Sequence, residues 1–227
     1  MPINKIFPNF DETVKDVHDG AIIMIGGFIG KVGMPTNLIL ALRNQGAKNL
    51  TIISNRVGGM DIDVLFEAKQ VGKAIASAPV PGSRTPICPF EEQYLAGEVK
   101  LEIVPQGTLV ERMRAGGAGL GGFYTPTGVG TAIAEGKGKK IIDGREYIFE
   151  LPLKADFAFI RAYKADKMGN LIYRRTERSF NPIMAMAAKI TIAEVDEIVD
   201  VGELDPESIV TPLIYVNRIV KIPRRKE

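Results

Sequence analysis

Two side-chain amides stand where a parallel sheet would place a ligand. Asn55 follows a predicted strand at residues 50–54, and Gln106 follows another at residues 99–104. Open α/β sheets bind ligands at the carboxyl ends of their strands, so both side chains are candidate site residues. Each amide can donate a hydrogen bond to a carbonyl oxygen that gains negative charge during a reaction. On the residues alone the simpler interpretation is local, with each amide satisfying the backbone of its own turn.

A glycine-rich stretch at residues 19–35 is the second candidate site. It opens with a short apolar run at residues 21–25, typical of a strand that is covered on both faces. Four glycines follow this run, at Gly26, Gly27, Gly30 and Gly33, before a predicted helix at residues 35–43. The amino end of that helix would suit an anion, but the spacing matches neither a dinucleotide-binding loop nor a P-loop. Two interpretations stay open, a ligand-binding loop and a tight turn from strand to helix.

Composition excludes several other kinds of site. The chain has one cysteine, Cys88, and one histidine, His18, so neither a disulfide framework nor a metal site built from those residue types is expected. The formal net charge of +2 argues against binding nucleic acid by bulk electrostatics. No run of 18 apolar residues is present, and residues 1–11 lack the layout of a secretory signal. We therefore expect a cytoplasmic protein with no membrane-spanning helix.

The order of predicted elements indicates the scaffold that holds these residues. Helical and strand patterns alternate through the first half of the chain, which is typical of α/β domains. Further strands are predicted at residues 156–162, 189–195 and 214–220, and a hairpin turn at Asp143-Gly144. Residues 116–138 are glycine-rich and are predicted to form a long loop. We expect a single domain, residues 1–227, with one open, largely parallel sheet flanked by helices.

Short motifs spread over nearly the whole chain point to a known family. Besides the glycine-rich stretch they are Val104-Pro105-Gln106-Gly107-Thr108-Leu109, Gly116-Gly117-Ala118-Gly119, Phe123-Tyr124-Thr125-Pro126-Thr127-Gly128, Ala165-Asp166 with Gly169-Asn170, Phe180-Asn181-Pro182 and Gly202-Glu203-Leu204. In this order they resemble the family I coenzyme A transferases, in the subunit usually called A or alpha. The number of separate matches favours a ligand-binding role for the glycine-rich stretch.

The resemblance implies an enzyme that exchanges coenzyme A between an acyl-CoA and a free carboxylic acid, of the 3-oxoacid or acetate-acetoacetate CoA-transferase type. In that family a glutamate attacks the thioester, and a glutamyl-CoA thioester forms by way of an acid anhydride. The glutamate belongs to a Ser-Glu-Asn-Gly motif of the other, beta, subunit, and this chain contains no such motif. The implied partner is this beta subunit, in an assembly of two alpha plus two beta subunits, with no nucleic acid or membrane partner. Coenzyme A is implied as a substrate, and no permanently bound cofactor is implied.

The resemblance also assigns roles to individual residues. It implies that the CoA-contacting loop consists of Gly26, Gly27, Phe28, Ile29, Gly30, Lys31, Val32 and Gly33. Asn55 matches an asparagine that faces the thioester carbonyl as an oxyanion donor, and Gln106 matches a glutamine of the active-site pocket. The chain departs from the family pattern in having four residues, not three, between Phe28 and Gly33.

Two further departures concern substrate choice. Arg56 stands where ketoacid-specific members often carry a second asparagine, and it could pair with the carboxylate of an acid substrate. Residues 176–180, Thr-Glu-Arg-Ser-Phe, replace the usual Ala-Arg-Asn-Phe pattern. Two rival functions stay open at this point, a sugar-phosphate isomerase-like enzyme and a non-catalytic CoA-binding or regulatory module.

Overall fold

A mostly parallel sheet organises the protein, whose computed structural model describes residues 3–28, 32–79 and 87–223. The first half of the chain contributes α1 (Phe10–Val14), β1 (Ile22–Ile25), α2 (Thr36–Gln45), β2 (Leu50–Ile53), α3 (Asp63–Glu67), β3 (Val71–Ala76), α4 (Pro89–Leu95), β4 (Lys100–Ile103) and α5 (Gln106–Ala118). The second half contributes β5 (Phe123–Thr125), β6 (Lys139–Ile142), β7 (Arg145–Glu150), β8 (Ala155–Asp166), β9 (Leu171–Ile172), α6 (Asn181–Met186), β10 (Ala188–Val199) and β11 (Arg218–Lys221). Short 3-10 helices lie at Ala132–Ala134, Arg175–Arg178, Pro206–Ser208 and Leu213–Tyr215.

The main sheet has the strand order β11-β10-β8-β1-β2-β3-β4, with β9 attached to β8. Neighbours along this order run parallel, and β9 is antiparallel to β8. The predicted fold class is therefore confirmed. The strand order changes direction at β1, since β2 lies on one side of it and β8 on the other. Such a switch point opens a crevice at the carboxyl ends of the strands, which is where ligands bind in open α/β sheets.

The core lies on both faces of the main sheet. On β1, Ile23 and Ile25 face one apolar cluster and Met24 faces the other, and all three are fully buried. The first cluster is covered by α1, α2, α3 and α4, and the second by α5 and α6. Burial on both faces explains why β1 stands in the sequence as an uninterrupted apolar run.

A small antiparallel sheet, in the order β5-β7-β6, follows α5. The predicted hairpin turn is confirmed, because Asp143 and Gly144 connect β6 to β7 with φ of 47° and 76°. The prediction of a long loop at residues 116–138 is wrong at two places, since α5 runs to Ala118 and β5 occupies residues 123–125. Gly116 lies within α5, and the close packing of the helix there requires a glycine. A Cβ added at this position would lie 2.1 Å from the carbonyl oxygen of Leu153.

Candidate active site

Asn55 is fixed in place by the two strands beside it. It lies just after β2, is 3% exposed, and its backbone carbonyl accepts hydrogen bonds from the amides of Ser77 and Ala78, just after β3. Ser54, the preceding residue, donates its hydroxyl to the carbonyl of Ile25 at the end of β1. The carboxyl ends of three neighbouring strands therefore hold this asparagine.

The structure brings the two predicted amides into direct contact. The Oδ1 atom of Asn55 accepts hydrogen bonds from Ser77 Oγ at 2.6 Å and from Gln106 Nε2 at 2.9 Å. Gln106 is the first residue of α5 and is exposed. In this arrangement Oδ1 is the acceptor of the Asn55 amide and Nδ2 is its donor, for which the described residues supply no acceptor. Asn55 can therefore offer N–H groups to a ligand carbonyl.

The glycine-rich loop joins β1 to α2, and its described part packs against the protein itself. Ile29, Gly30 and Lys31 lie outside the described residues. A Cβ added at Gly26 would lie 1.8 Å from Asn181 Oδ1, and one added at Gly33 would lie 2.4 Å from the carbonyl oxygen of Glu177. These two glycines are therefore required by close packing within the protein, whatever the loop binds.

Asn181 is the buried residue around which this packing is arranged, and sequence reasoning gave it no role. It is fully buried; its Nδ2 donates to the carbonyls of Gly33 at 3.0 Å and Glu177 at 2.8 Å. Its Oδ1 accepts from the backbone amide of Arg161 in β8 at 3.2 Å. The one signal for it in the sequence was the Phe180-Asn181-Pro182 motif. Asn181 thus ties the glycine-rich loop to β8 and to the segment before α6.

The amino end of α2, expected to suit a bound anion, already holds a carboxylate of the protein. Glu194 Oε2, from β10, accepts from the backbone amides of Asn37 and Leu38 at 3.0 Å each. Burial raises the pKa of Glu194 to about 7, although these amides and the Arg161 guanidinium 3.8 Å away favour its charged form. The carboxylate of β10 caps the helix in this way, so an anionic ligand at that position would first have to displace Glu194.

A cavity of about 1060 Å³ lies between the glycine-rich loop, the start of α5 and the segment before α6. Its apolar walls are formed by Phe28, Val32, Val110, Phe180, Pro182, Ile183 and Met186. Its polar lining comes from Gln106, Thr108, Glu111, Thr125, Thr127, Thr176, Arg178 and Ser179. Phe28 and Phe180 stack at a centroid distance of 5.9 Å. The volume suits a small organic ligand, and Gln106 connects the cavity to Asn55.

Other candidate features contribute less to this site. Arg56 is partly buried, and it is not among the described residues that line the cavity. Among residues 3–28, 32–79 and 87–223, no group of three or more His, Cys, Asp or Glu side chains could hold a metal ion. None of the helices formed by those residues is long and apolar enough to cross a membrane.

Sequence comparison relates this architecture to known proteins. A family model described as Coenzyme A transferase matches residues 7–222. The alpha chain of a probable succinyl-CoA:3-ketoacid coenzyme A transferase of Bacillus subtilis is 52% identical over 96% of this chain and 90% of its own length. The alpha chain of the 3-oxoadipate CoA-transferase of Pseudomonas putida is 50% identical over 97% of this chain and 94% of its own length. The human mitochondrial succinyl-CoA:3-ketoacid coenzyme A transferase 2 is 44% identical over 96% of this chain, but only 45% of the human protein is matched.

Structure comparison finds the same fold at lower identity. The crystal structure of an acyl-CoA transferase from Escherichia coli O157:H7, a thioester complex with CoA, superposes with a TM-score of 0.82 at 21% identity. That match covers 99% of this chain and 50% of the solved chain, so this chain spans about half of it. Glutaconate coenzyme A-transferase from Acidaminococcus fermentans superposes with a TM-score of 0.80 at 22% identity, over 96% of this chain and 76% of the solved chain.

Proposed function

The chain belongs to the coenzyme A transferase family, and we propose that it is the alpha subunit of an enzyme that moves CoA between a short-chain acyl-CoA and a carboxylic or 3-oxo acid. The observation that carries the proposal is the contact between Asn55 and Gln106 beside the large cavity. A binding module has no need of a buried amide whose acceptor atom is occupied and whose N–H groups are free to donate. A transferase needs that arrangement, because its substrate carbonyl gains negative charge when it is attacked.

The other half of the active site is assigned to a partner chain, the beta subunit. This chain has no Ser-Glu-Asn-Gly motif, and it matches less than half of the human relative and about half of the Escherichia coli structure. The Bacillus subtilis and Pseudomonas putida relatives are both named as one subunit of a larger enzyme. In the proposal, residues 1–227 form one domain that pairs with a beta subunit in a cytoplasmic assembly of two alpha and two beta chains.

The chemistry divides between the two chains. A glutamate of the partner chain attacks the thioester carbonyl, the C–S bond breaks, and CoA leaves as a thiolate while an acyl–glutamyl anhydride forms. The thiolate then attacks the glutamyl carbonyl, which gives glutamyl-CoA and releases the first acid as its carboxylate. The acceptor acid reverses these steps. In each addition, Asn55 Nδ2 donates to the oxyanion, while Gln106 and Ser77 hold the asparagine amide in position through its Oδ1.

The glycine-rich loop and the cavity supply binding. We assign CoA contacts to Gly26 through Gly33, and the acyl group to the cavity, whose wall includes Phe28 and Val32 of the same loop. No phosphate is assigned to the amino end of α2, because Glu194 occupies it. The loop has four residues, 29–32, where the family pattern has three, and Ile29, Gly30 and Lys31 lie outside the described residues.

The test is co-expression with the protein encoded beside it, followed by assays of acetyl-CoA and succinyl-CoA with a panel of short-chain acids and 3-oxo acids. CoA transfer is expected from the co-purified complex and not from this chain alone. Mass spectrometry should then find CoA attached through a thioester to one glutamate of the partner. Robust transfer by this chain alone, or a stable complex that transfers CoA to no acid, would overturn the proposal.

A further inference from the structure

The cavity contains one cationic side chain among its described lining residues, Arg178. The guanidinium is exposed, and no described residue forms an ion pair or hydrogen bond with it. The other charged lining residue, Glu111, is paired with Arg114 at 2.6 Å on its own helix. An unpaired guanidinium beside a largely apolar wall is suited to binding an anionic group on a ligand that is otherwise apolar.

The segment that carries Arg178 is anchored firmly to the glycine-rich loop. The carbonyl of Glu177 accepts a hydrogen bond from Asn181 Nδ2, which also donates to the carbonyl of Gly33. Gly33 approaches Glu177 so closely that an added Cβ would meet its carbonyl oxygen at 2.4 Å. The backbone that carries Arg178 is therefore held in a fixed position relative to the loop, as a specificity-determining residue requires.

The next residue, Ser179, shows that this segment is under strain. Its φ of 36° and ψ of −132° lie in a region that favours glycine, and its Oγ is buried without a hydrogen-bond partner. Strain of this kind persists only where the surrounding structure enforces it, and it concentrates at ligand-binding sites. Arg178 and Ser179 both line the cavity.

We propose that Arg178 is the residue that selects acyl groups with a free carboxylate at their far end, by pairing with that carboxylate inside the cavity. The inference rests on the proposed transferase function and names a specificity determinant for it. The carbonyl that reacts lies at the Asn55–Gln106 end, and the methylene groups lie against Phe28 and Phe180. Arg56, the arginine that the sequence suggested for this purpose, does not line the cavity.

The same guanidinium chemistry would also bind a phosphate of CoA, and substrate pairs of equal length separate the two sources. Succinyl-CoA and butyryl-CoA carry identical phosphates and four-carbon acyl groups, and only the first has a terminal carboxylate. Arg178→Gln in the alpha–beta complex is expected to lower kcat/KM for succinyl-CoA by about 10- to 100-fold, the usual range for a charged hydrogen bond, and to leave butyryl-CoA within about twofold. Arg178→Lys should recover part of the loss, because an ammonium keeps the charge without the planar fork.

The control is Arg175→Gln, which removes an exposed arginine of the same segment that does not line the cavity. It should leave kcat/KM for both substrates unchanged. Equal melting temperatures of the variants would exclude unfolding as the cause of any loss. An equal loss for succinyl-CoA and butyryl-CoA would overturn the proposal in favour of a phosphate contact. No loss for either substrate would overturn it outright.

Calorimetric binding of the free acids separates this proposal from the transferase function. The wild-type complex is expected to bind succinate more tightly than butyrate, and Arg178→Gln should abolish the difference. If this preference is found in a complex that transfers CoA to no acid, the transferase proposal fails while Arg178 keeps its role. If the wild-type complex transfers CoA but binds succinate no better than butyrate, the assignment of Arg178 fails and the transferase proposal stands.

Discussion

At the scale of single residues, two amides of the same chemistry have different tasks. Asn55 is buried and has N–H groups free to donate, whereas Gln106 is exposed and donates one N–H to Asn55 Oδ1. In the proposed mechanism Asn55 is the group that touches the reacting carbonyl. Gln106 and Ser77 orient it through their hydrogen bonds. The effects of substituting residues in such a network on the activation free energy are not expected to add.

Asn55→Ala is therefore expected to lower kcat about 10²- to 10³-fold, the cost of losing one oxyanion donor. Gln106→Ala should cost about tenfold, since Asn55 would keep its bond to Ser77. The double variant should be little worse than Asn55→Ala alone, as steady-state kinetics of the alpha–beta complex would measure. Fully multiplicative losses would mean that the two amides act independently on the substrate.

Ser179 gives a prediction about stability. Ser179→Gly should raise the free energy of unfolding by about 1 kcal/mol, because glycine adopts the observed backbone angles without strain. Ser179→Ala is the matched control, since it removes the unpartnered hydroxyl but keeps the Cβ responsible for the strain. Urea titrations of both variants separate the two effects. A Ser179→Gly protein that is less stable than Ser179→Ala would contradict the strain argument.

At the scale of elements, the turn from β1 to α2 is shaped by a residue far away in the sequence. Gly26→Ala would place a Cβ 1.8 Å from Asn181 Oδ1, and that side chain is fully buried and hydrogen-bonded on three sides. We expect a loss of about 3 kcal/mol in the free energy of unfolding. Gly121→Ala, where an added Cβ meets nothing within 4 Å, should change stability by no more than about 0.5 kcal/mol. Equal effects of the two substitutions in a denaturant titration would refute this account of the turn.

The capping of α2 gives the protein a measurable pH dependence. Because burial raises the pKa of Glu194 to about 7, the folded state keeps a proton there that the unfolded chain releases near pH 4.5. The contribution of this group to folding stability is therefore highest below pH 4.5 and falls as pH rises towards 7. Glu194→Gln should remove this pH dependence. In the wild type it lowers the free energy of unfolding by roughly 2 kcal/mol between about pH 5 and pH 8.

Urea unfolding of the wild type and of Glu194→Gln at several pH values measures this difference. Glu135→Gln, an exposed substitution, is the control and should leave the slope as it is. A difference in stability between the wild type and Glu194→Gln that does not vary with pH would show that the carboxyl is ionised throughout this range.

The same elements show what the sequence could and could not predict. Asn55 and Gln106 were predicted as candidates because each follows a short predicted strand, which is a local pattern. The hydrogen bonds of Asn181 to Gly33 and of Glu194 to Asn37 join residues 148 and 157 positions apart. No pattern in the sequence near α2 therefore predicts them. Strands β8 and β10 are also longer than predicted, since their distal halves pair charged side chains such as Lys164 and Glu197, 2.7 Å apart, in place of an apolar pattern.

At the scale of the whole molecule, Arg112 joins the two sheets. It lies on α5 and is largely buried; its Nη1 contacts Glu102 of β4 at 2.7 Å, and its Nε donates to the carbonyl of Leu151 just after β7. Glu150 of β7 is almost fully buried, with Lys137 Nζ at 2.5 Å and Arg112 Nε at 3.9 Å. Burial opposes ionisation of Glu102, but hydrogen bonds from Arg112 and Lys73 hold its pKa below the usual value. The small sheet is thus attached to the edge of the main sheet through charged groups.

Arg112→Met should break this attachment while preserving side-chain length. Glu102 and Glu150 would each keep one lysine, and the Leu151 carbonyl would lose its donor, so we expect a loss of about 3 kcal/mol. Arg114→Met, which removes an exposed ion pair on α5, should change stability far less, because solvent screens exposed ion pairs. Hydrogen exchange should speed up first in β5, β6 and β7. Because Thr125 of β5 lines the cavity, the loosened sheet should also raise KM more than it lowers kcat. A uniform change in exchange across both sheets would mean that they unfold as one unit and that Arg112 does not act as a joint between them.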